Sequence, residues 1–291
     1  MKGTMRMYTL YRLAGFVIPL IPLRLGHWLA ERIADLVARR RPQERAIVRA
    51  NLRQALGRDP GAEELDRMAF EAYRCMMKNY FDLFWMPARS FAEISGKVDT
   101  EGWENLEEAV HLGRGFIVGA LHYGCPELAL QAVPLVGVPC YTPAEHVKPE
   151  RLFQYLCRLR AAHGVNLMPV DGPLTELVRA LRRGEGITLA LDRDTTDSGR
   201  VVEFCGKPAK LPDGAAQLAL RTGAPVLVAF SRRLPRGRYS LRLLPPILFS
   251  PLKQPDDAAV EQAMRRILAV VEEELRKDPS QWVVFRPIWN D

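Results

Sequence analysis

His122 and Glu127, with four residues between them in the stretch FIVGALHYGCPE, are the first pair in the chain whose types and spacing could do chemistry. That spacing spans a tight turn and the first residues of a helix, so the carboxylate can reach back to the imidazole. A carboxylate held on one ring nitrogen fixes the tautomer and makes the other nitrogen a better base. The pair also fits a structural histidine capped by an acid, and the pattern alone does not separate the two. Cys125, three residues from His122, invites a nucleophile reading, but it sits between Gly124 and Pro126 with no orienting group in view. A small buried thiol is the better account.

Asp192, Arg193 and Asp194 directly follow the apolar run ITLAL. Asp192 and Asp194 are candidates for substrate contact. A metal there is disfavoured because no histidine stands at metal-ligand spacing. Arg160 ends a helical stretch whose apolar face includes Leu152, Phe153, Leu156 and Leu159, where a solvated cation is the ordinary outcome. Residues 204–214, FCGKPAKLPDG, read as a loop entering a helix; its backbone N–H groups, with Lys207 and Lys210, could hold an anion, or it is a plain surface turn. His27, His111, His146 and His163 show no consistent partner in the sequence.

The elements that must position these groups are legible from periodicity. Short apolar runs predict strands at 116–121, 138–142, 166–170, 186–191 and 225–230. Helices are expected between them at 126–136, 149–163, 174–183 and 213–222, with Gly164, Gly184 and Gly223 as terminators. His122 and Asp192 then both fall at carboxyl ends of buried strands, where open α/β sheets bind ligands. Residues 238–244 alternate as an edge strand would, and 256–277 form a long amphipathic helix. Upstream, residues 44–56 and 62–85 carry helical spacing. The expected fold is α/β: a mixed, mostly parallel sheet flanked by helices over 91–291, preceded by a hydrophobic helical section over 1–90.

With 291 residues, 48% hydrophobic and 26% charged, the chain can bury a large core without staples. Five scattered cysteines without CxxC spacing argue against a disulfide framework or a zinc site and for a reducing compartment. A net charge of +7 and a pI near 9.3 suit an anionic lipid or a phosphorylated or acidic substrate. No nucleic-acid-binding signature accompanies that charge. The apolar stretch 13–23, LAGFVIPLIPL, is flanked by Arg12 and Arg24 and interrupted by Pro19 and Pro22. It is shorter than the about 20 residues a spanning helix needs, and no signal-peptide cleavage site follows it. Together with the amphipathic GHWLAERIADLVARRR it reads as a membrane-interface hairpin or kinked helix, in preference to a core helix with solvated arginines.

Taken in order, NLRQAL at 51–56, LHYGCPE, FQYLCRLRAAHG at 153–164, LALDRDTTDSG at 189–199, VEFCGKPAKLPDGAAQLALRTGAPVLVAF at 202–230 and QWVVFRP near the C-terminus resemble a known family. They are similar to the bacterial lipid A lauroyl/myristoyl acyltransferases and the related phosphatidylinositol mannoside acyltransferases, within the glycerolipid acyltransferase superfamily. The resemblance implies an O-acyltransferase with His122 as general base and Glu127 as its partner, and with Arg160 and Asp192 in the active-site cleft. It implies an acyl-CoA or acyl carrier protein donor, a glycolipid acceptor, no resident cofactor, and a place on the cytoplasmic face of the bacterial cell membrane. The family usually carries an Asn and an aromatic before the acid; Cys125 and Pro126 stand there, a departure that touches the acceptor side. A lipid hydrolase using the same base on water, or a non-catalytic lipid-binding protein, are the alternatives.

Overall fold

Phe116, Ile117 and Val118 are all fully buried, and successive side chains join different cores: Ile117 on one face, Phe116 and Val118 on the other. That alternation is what a strand covered on both faces requires. The computed structural model describes residues 2–170, 172, 174–194 and 197–289; Thr195 and Thr196 of the DRDTTDSG stretch lie outside the described residues.

In chain order the elements are α1 (Lys2–Val17), α2 (Leu23–Arg40), α3 (Pro42–Leu56), α4 (Ala62–Trp85), α5 (Phe91–Ser95), β1 (Val98–Glu101), α6 (Trp103–His111), β2 (Phe116–Ala120), α7 (Pro126–Ala132), β3 (Cys140–Ala144), α8 (Glu150–Arg160) and β4 (Val165–Pro169). Then come α9 (Leu174–Arg182), β5 (Gly186–Ala190), β6 (Arg200–Phe204), β7 (Lys207–Leu211), α10 (Gly214–Thr222), β8 (Val226–Leu234), β9 (Arg238–Leu243) and α11 (Asp257–Lys277).

The main sheet has seven strands in the order β1-β9-β8-β2-β5-β3-β4. All neighbours run parallel except β8 and β9. The fold is α/β, a mostly parallel mixed sheet with helices on both faces. One face carries α9, α10 and α11; the other carries α6 and the turns after α7. Two expectations need correction. Residues 238–243 are not an edge strand, because β1, a short polar strand that no apolar run announced, pairs parallel on their outer side. Residues 204–214 are not a loop, because 200–204 and 207–211 form an antiparallel hairpin. Its alternate inward residues Val202, Phe204, Ala209 and Leu211 are buried in the core, and the intervening lysines masked that alternation in the sequence.

The N-terminal helices are built unusually. On α2, Gly26, Ala30, Ala34 and Ala38 recur every four residues and are all buried. This small-residue face lets α4 approach closely; a Cβ on Gly26 would lie 2.1 Å from the Phe81 ring. The large apolar residues of the same helix, Leu25, Trp28, Leu29, Ile33 and Leu36, are exposed instead. On α3, Asn51 donates to the Val284 and Arg286 carbonyls and accepts from Ile288 N–H, so this section is knitted to the C-terminal segment.

Candidate active site

β2 and β5 are adjacent and in register, Ala120 opposite Ala190. Leu191 N–H continues the pairing onto the Ala120 carbonyl at 2.9 Å. His122 and Asp192, each two residues beyond the paired alanines, therefore leave the sheet side by side at its carboxyl edge. The His122 Nδ1 lies 2.8 Å from Asp192 Oδ1, and the His122 backbone N–H donates to Asp192 Oδ2 at 2.8 Å. Trp282 Nε1–H also donates to Oδ2, at 2.8 Å.

Asp192 is buried while the His122 side chain remains 35% exposed. Burial pushes the Asp192 carboxyl up, but the neighbouring His122 charge, the two His122 N–H groups and the Trp282 indole outweigh it and hold the acid below its ordinary value. An ionised carboxylate at Nδ1 assigns the ring proton to that nitrogen and leaves the lone pair on Nε2. The arrangement thus leaves a part-exposed imidazole with a fixed tautomer at the carboxyl edge of the sheet.

Glu127, expected to be the partner of His122, is turned elsewhere. Its Oε1 accepts from Arg160 Nε at 2.8 Å and from Nη2 at 2.5 Å. The cause is the start of α7 at Pro126, which carries Glu127 into the helix's first turn and toward α8, where Arg160 ends that helix. Burial pulls the Arg160 guanidinium down, and the Glu127 carboxylate more than restores it. The strand register, not the local turn, chooses the partner of the imidazole. Asp194 Oδ2 accepts from Gly199 N–H at 2.7 Å.

The turn bearing His122 is clamped from behind. Gly124 has φ +58, and a Cβ there would lie 1.9 Å from the Ser231 carbonyl oxygen of β8. Ser231 Oγ donates to the Cys125 carbonyl at 2.7 Å, and Arg233 Nε donates to the Gly124 carbonyl at 3.2 Å. Arg233 Nη1 also donates to the fully buried Asp82 at 2.6 Å, and the other Asp82 oxygen meets His27 Nε2 at 3.0 Å. Burial pushes Asp82 up, but Arg233 and His27 outweigh it and hold the acid below its usual range. The Cys125 thiol is raised by burial and donates weakly to Asp82 at 3.6 Å, which suits a structural thiol and not a nucleophile.

Sequence reasoning missed Trp282, Asp82, Arg233 and Ser231. Trp282 lies in the QWVVFRP segment already singled out, and Val283 N–H donates to the His122 carbonyl at 2.7 Å. An aromatic with a polar edge just past the last long helix was the available signal. The remaining histidines do have partners: His27 on Asp82, His111 on the Glu107 carbonyl, His146 on Glu150 and His163 on the Arg89 carbonyl. Among the described residues no group of three or more His, Cys, Asp or Glu side chains could hold a metal ion.

A phosphatidylinositol mannoside acyltransferase of Mycobacterium tuberculosis is 29% identical over 248 residues, 83% of this chain and 76% of that protein. One from Mycolicibacterium smegmatis is 27% identical over 249 residues, 83% of this chain and 78% of that protein. Among solved structures, the 1-acyl-sn-glycerophosphate (LPA) acyltransferase PlsC from Thermotoga maritima is 16% identical, with a TM-score of 0.41 over 88% of this chain and 98% of that one. Residues 4–291 match the family described as bacterial lipid A biosynthesis acyltransferase, so the chain is an acyltransferase belonging to that family.

Proposed function

We propose that the chain transfers a fatty acyl group from a thioester, acyl-CoA or acyl carrier protein, to a hydroxyl of a glycolipid of the phosphatidylinositol mannoside or lipid A precursor kind. The names of the relatives support that acceptor class. The observation that carries the reading is the part-exposed His122 imidazole fixed through Nδ1 by buried Asp192. Nε2 takes the proton of the acceptor hydroxyl as its oxygen attacks the thioester carbonyl. The tetrahedral oxyanion then collapses, breaking the C–S bond, and the imidazolium passes its proton to the departing sulfur, giving the ester, the free thiol and the neutral imidazole. Such a base contributes about 10²–10⁴-fold. Arg160 donates hydrogen bonds through Nε and Nη2 to Glu127, which fixes the guanidinium, and its Nη1 or backbone amides serve the oxyanion. No resident cofactor is required by this chemistry.

The working surface is the cytoplasmic face of the bacterial cell membrane, with the N-terminal helices in the interface. Leu10, Leu13, Phe16 and Leu20 of the first helical stretch are 58–74% exposed, and α2 turns Trp28 and Ile33 outward above a face of Gly and Ala. Exposed Arg12, Arg24, Arg32, Arg39 and Arg40 flank these residues. A soluble helix buries its large residues and exposes its small or polar ones; the reverse arrangement, rimmed by cations, suits an anionic lipid surface. No helix of the described residues is long and apolar enough to cross a membrane.

The test supplies labelled palmitoyl-CoA or palmitoyl carrier protein with a bacterial glycolipid extract. Labelled glycolipid formed by the unmutated protein and not by His122→Ala is the expected result. Free fatty acid as the sole product would make it a hydrolase instead.

A further inference from the structure

Away from His122, a cavity of about 320 Å³ lies between α5, β1, α6, α7 and β9. Its walls are mostly apolar, among them Leu128 and Leu241, while Phe91 and Leu135, each 40% exposed, carry the lining out to solvent. Ser95, Thr100, Gln131 and His163 break the pattern, and the last two carry buried atoms without partners. Gln131 is 3% exposed, and among the described residues neither its Oε1 nor its Nε2 meets a hydrogen-bond partner. The buried Nδ1 of His163 is likewise unmatched. Polar atoms are seldom buried without partners, and such groups in an apolar pocket fix the orientation of what binds there.

The ring of His163 narrows the chemistry. Its Nε2 lies 3.0 Å from the Arg89 carbonyl, which can only accept, so Nε2 carries the proton and Nδ1 of the neutral ring needs a donor. Gln131 offers an amide donor and an acceptor oxygen. A carboxyl meets one unmatched atom of each side chain, taking a hydrogen bond from Gln131 Nε2 and donating one through its own proton to His163 Nδ1. An ester or thioester carbonyl has no proton to share. At roughly 30 Å³ for each water-sized group, the cavity has room for about ten of them, the bulk of a medium alkyl chain.

We propose that this cavity is a second lipid site, distinct from the donor's reaction centre, that binds a medium-chain free fatty acid with its carboxyl against Gln131 and His163. Neither His122 nor Asp192 lines it, and Gln131 stands one helical turn beyond Glu127 on α7.

The experiment titrates decanoic acid into the full-length protein carrying His122→Ala, so the binding heat is independent of acyl transfer and of the reading above. Saturable one-to-one binding is expected. Gln131→Leu and, at the exposed rim, Leu135→Trp should each weaken it at least tenfold while leaving the thermal unfolding transition cooperative. Methyl decanoate, with no proton to share, should bind at least tenfold more weakly, and saturating palmitoyl-CoA should not displace the acid. Absence of saturable binding would overturn the proposal. So would equal affinity for acid and methyl ester, or one-for-one displacement by palmitoyl-CoA, which would make the cavity the end of the donor-chain path.

Discussion

A carboxylate that steers an imidazole must stay ionised and must hold its own position, and Asp192 does both through the N–H groups converging on it. Its depressed acidity ties stability to pH. The unfolded carboxyl titrates at about 3.9, and the folded one titrates lower. Above about pH 4 the stabilising contribution is therefore fully present, and it is lost as pH falls through the folded value. Denaturant unfolding at pH 7 and pH 3 should accordingly show a smaller acid loss for Asp192→Asn than for the unmutated protein. A loss of the same size in both would mean Asp192 is not held ionised by its neighbours. Glu127 works differently: its charge sits on Arg160, so Glu127→Gln should disturb substrate affinity and the α7–α8 contact while leaving the tautomer of His122 in place.

The turn from β2 into α7 delivers His122 only because β8 grips it from behind. Gly124→Ala would force a Cβ onto the Ser231 carbonyl in a backbone conformation with φ +58. A cost of about 2–4 kcal/mol follows from combined strain and overpacking, read as a drop in the denaturation midpoint. The Asp82–Arg233 pair beneath it is a second clamp. Asp82→Ala would leave a buried guanidinium without its carboxylate and should cost about 3–5 kcal/mol, whereas Arg238→Ala at the half-exposed pair with Asp99 should cost under about 1 kcal/mol. Elements of this kind are legible where burial is two-sided: the apolar runs at 116–121, 186–191 and 225–230 announce the strands Phe116–Ala120, Gly186–Ala190 and Val226–Leu234. β1 did not, because Val98–Glu101 is polar and largely exposed and holds β9 through its backbone and the surface pairs Asp99–Arg238 and Glu101–Arg242. The site was legible in its residue types and not in its pairings. Register across β2 and β5 brings Asp192 to His122 from 70 residues away, and no local spacing encodes that. Trp282, Asp82 and Arg233 act through contacts equally distant in sequence and carry no period of their own.

At the scale of the whole molecule, a sheet edge bearing His122 is joined to a helical section whose large side chains face outward. The net charge of +7 adds a long-range attraction to anionic surfaces. Replacing Leu13, Phe16 and Leu20 together by Ser should reduce binding to vesicles containing phosphatidylglycerol at least tenfold, as read by sedimentation, since each buried apolar side chain contributes about 1.5–3 kcal/mol. Raising salt from 0.1 to 0.5 M should weaken binding of the unmutated protein only partly, because screening acts on the arginines and not on the apolar contact. Unchanged vesicle binding by the triple variant would move the contact surface elsewhere on the molecule.

The most direct test of the catalytic account compares single-turnover acyl transfer from palmitoyl-CoA to a bacterial glycolipid extract by the unmutated protein, His122→Ala, Asp192→Asn and Glu127→Gln. The account predicts that His122→Ala and Asp192→Asn both lose about 10²–10⁴-fold in the chemical step. Glu127→Gln should keep a chemical step within about tenfold at saturating substrate, a small fraction of the contribution of the base. A chemical step left intact in Asp192→Asn but abolished in Glu127→Gln would contradict it and return the imidazole to the nearer acid.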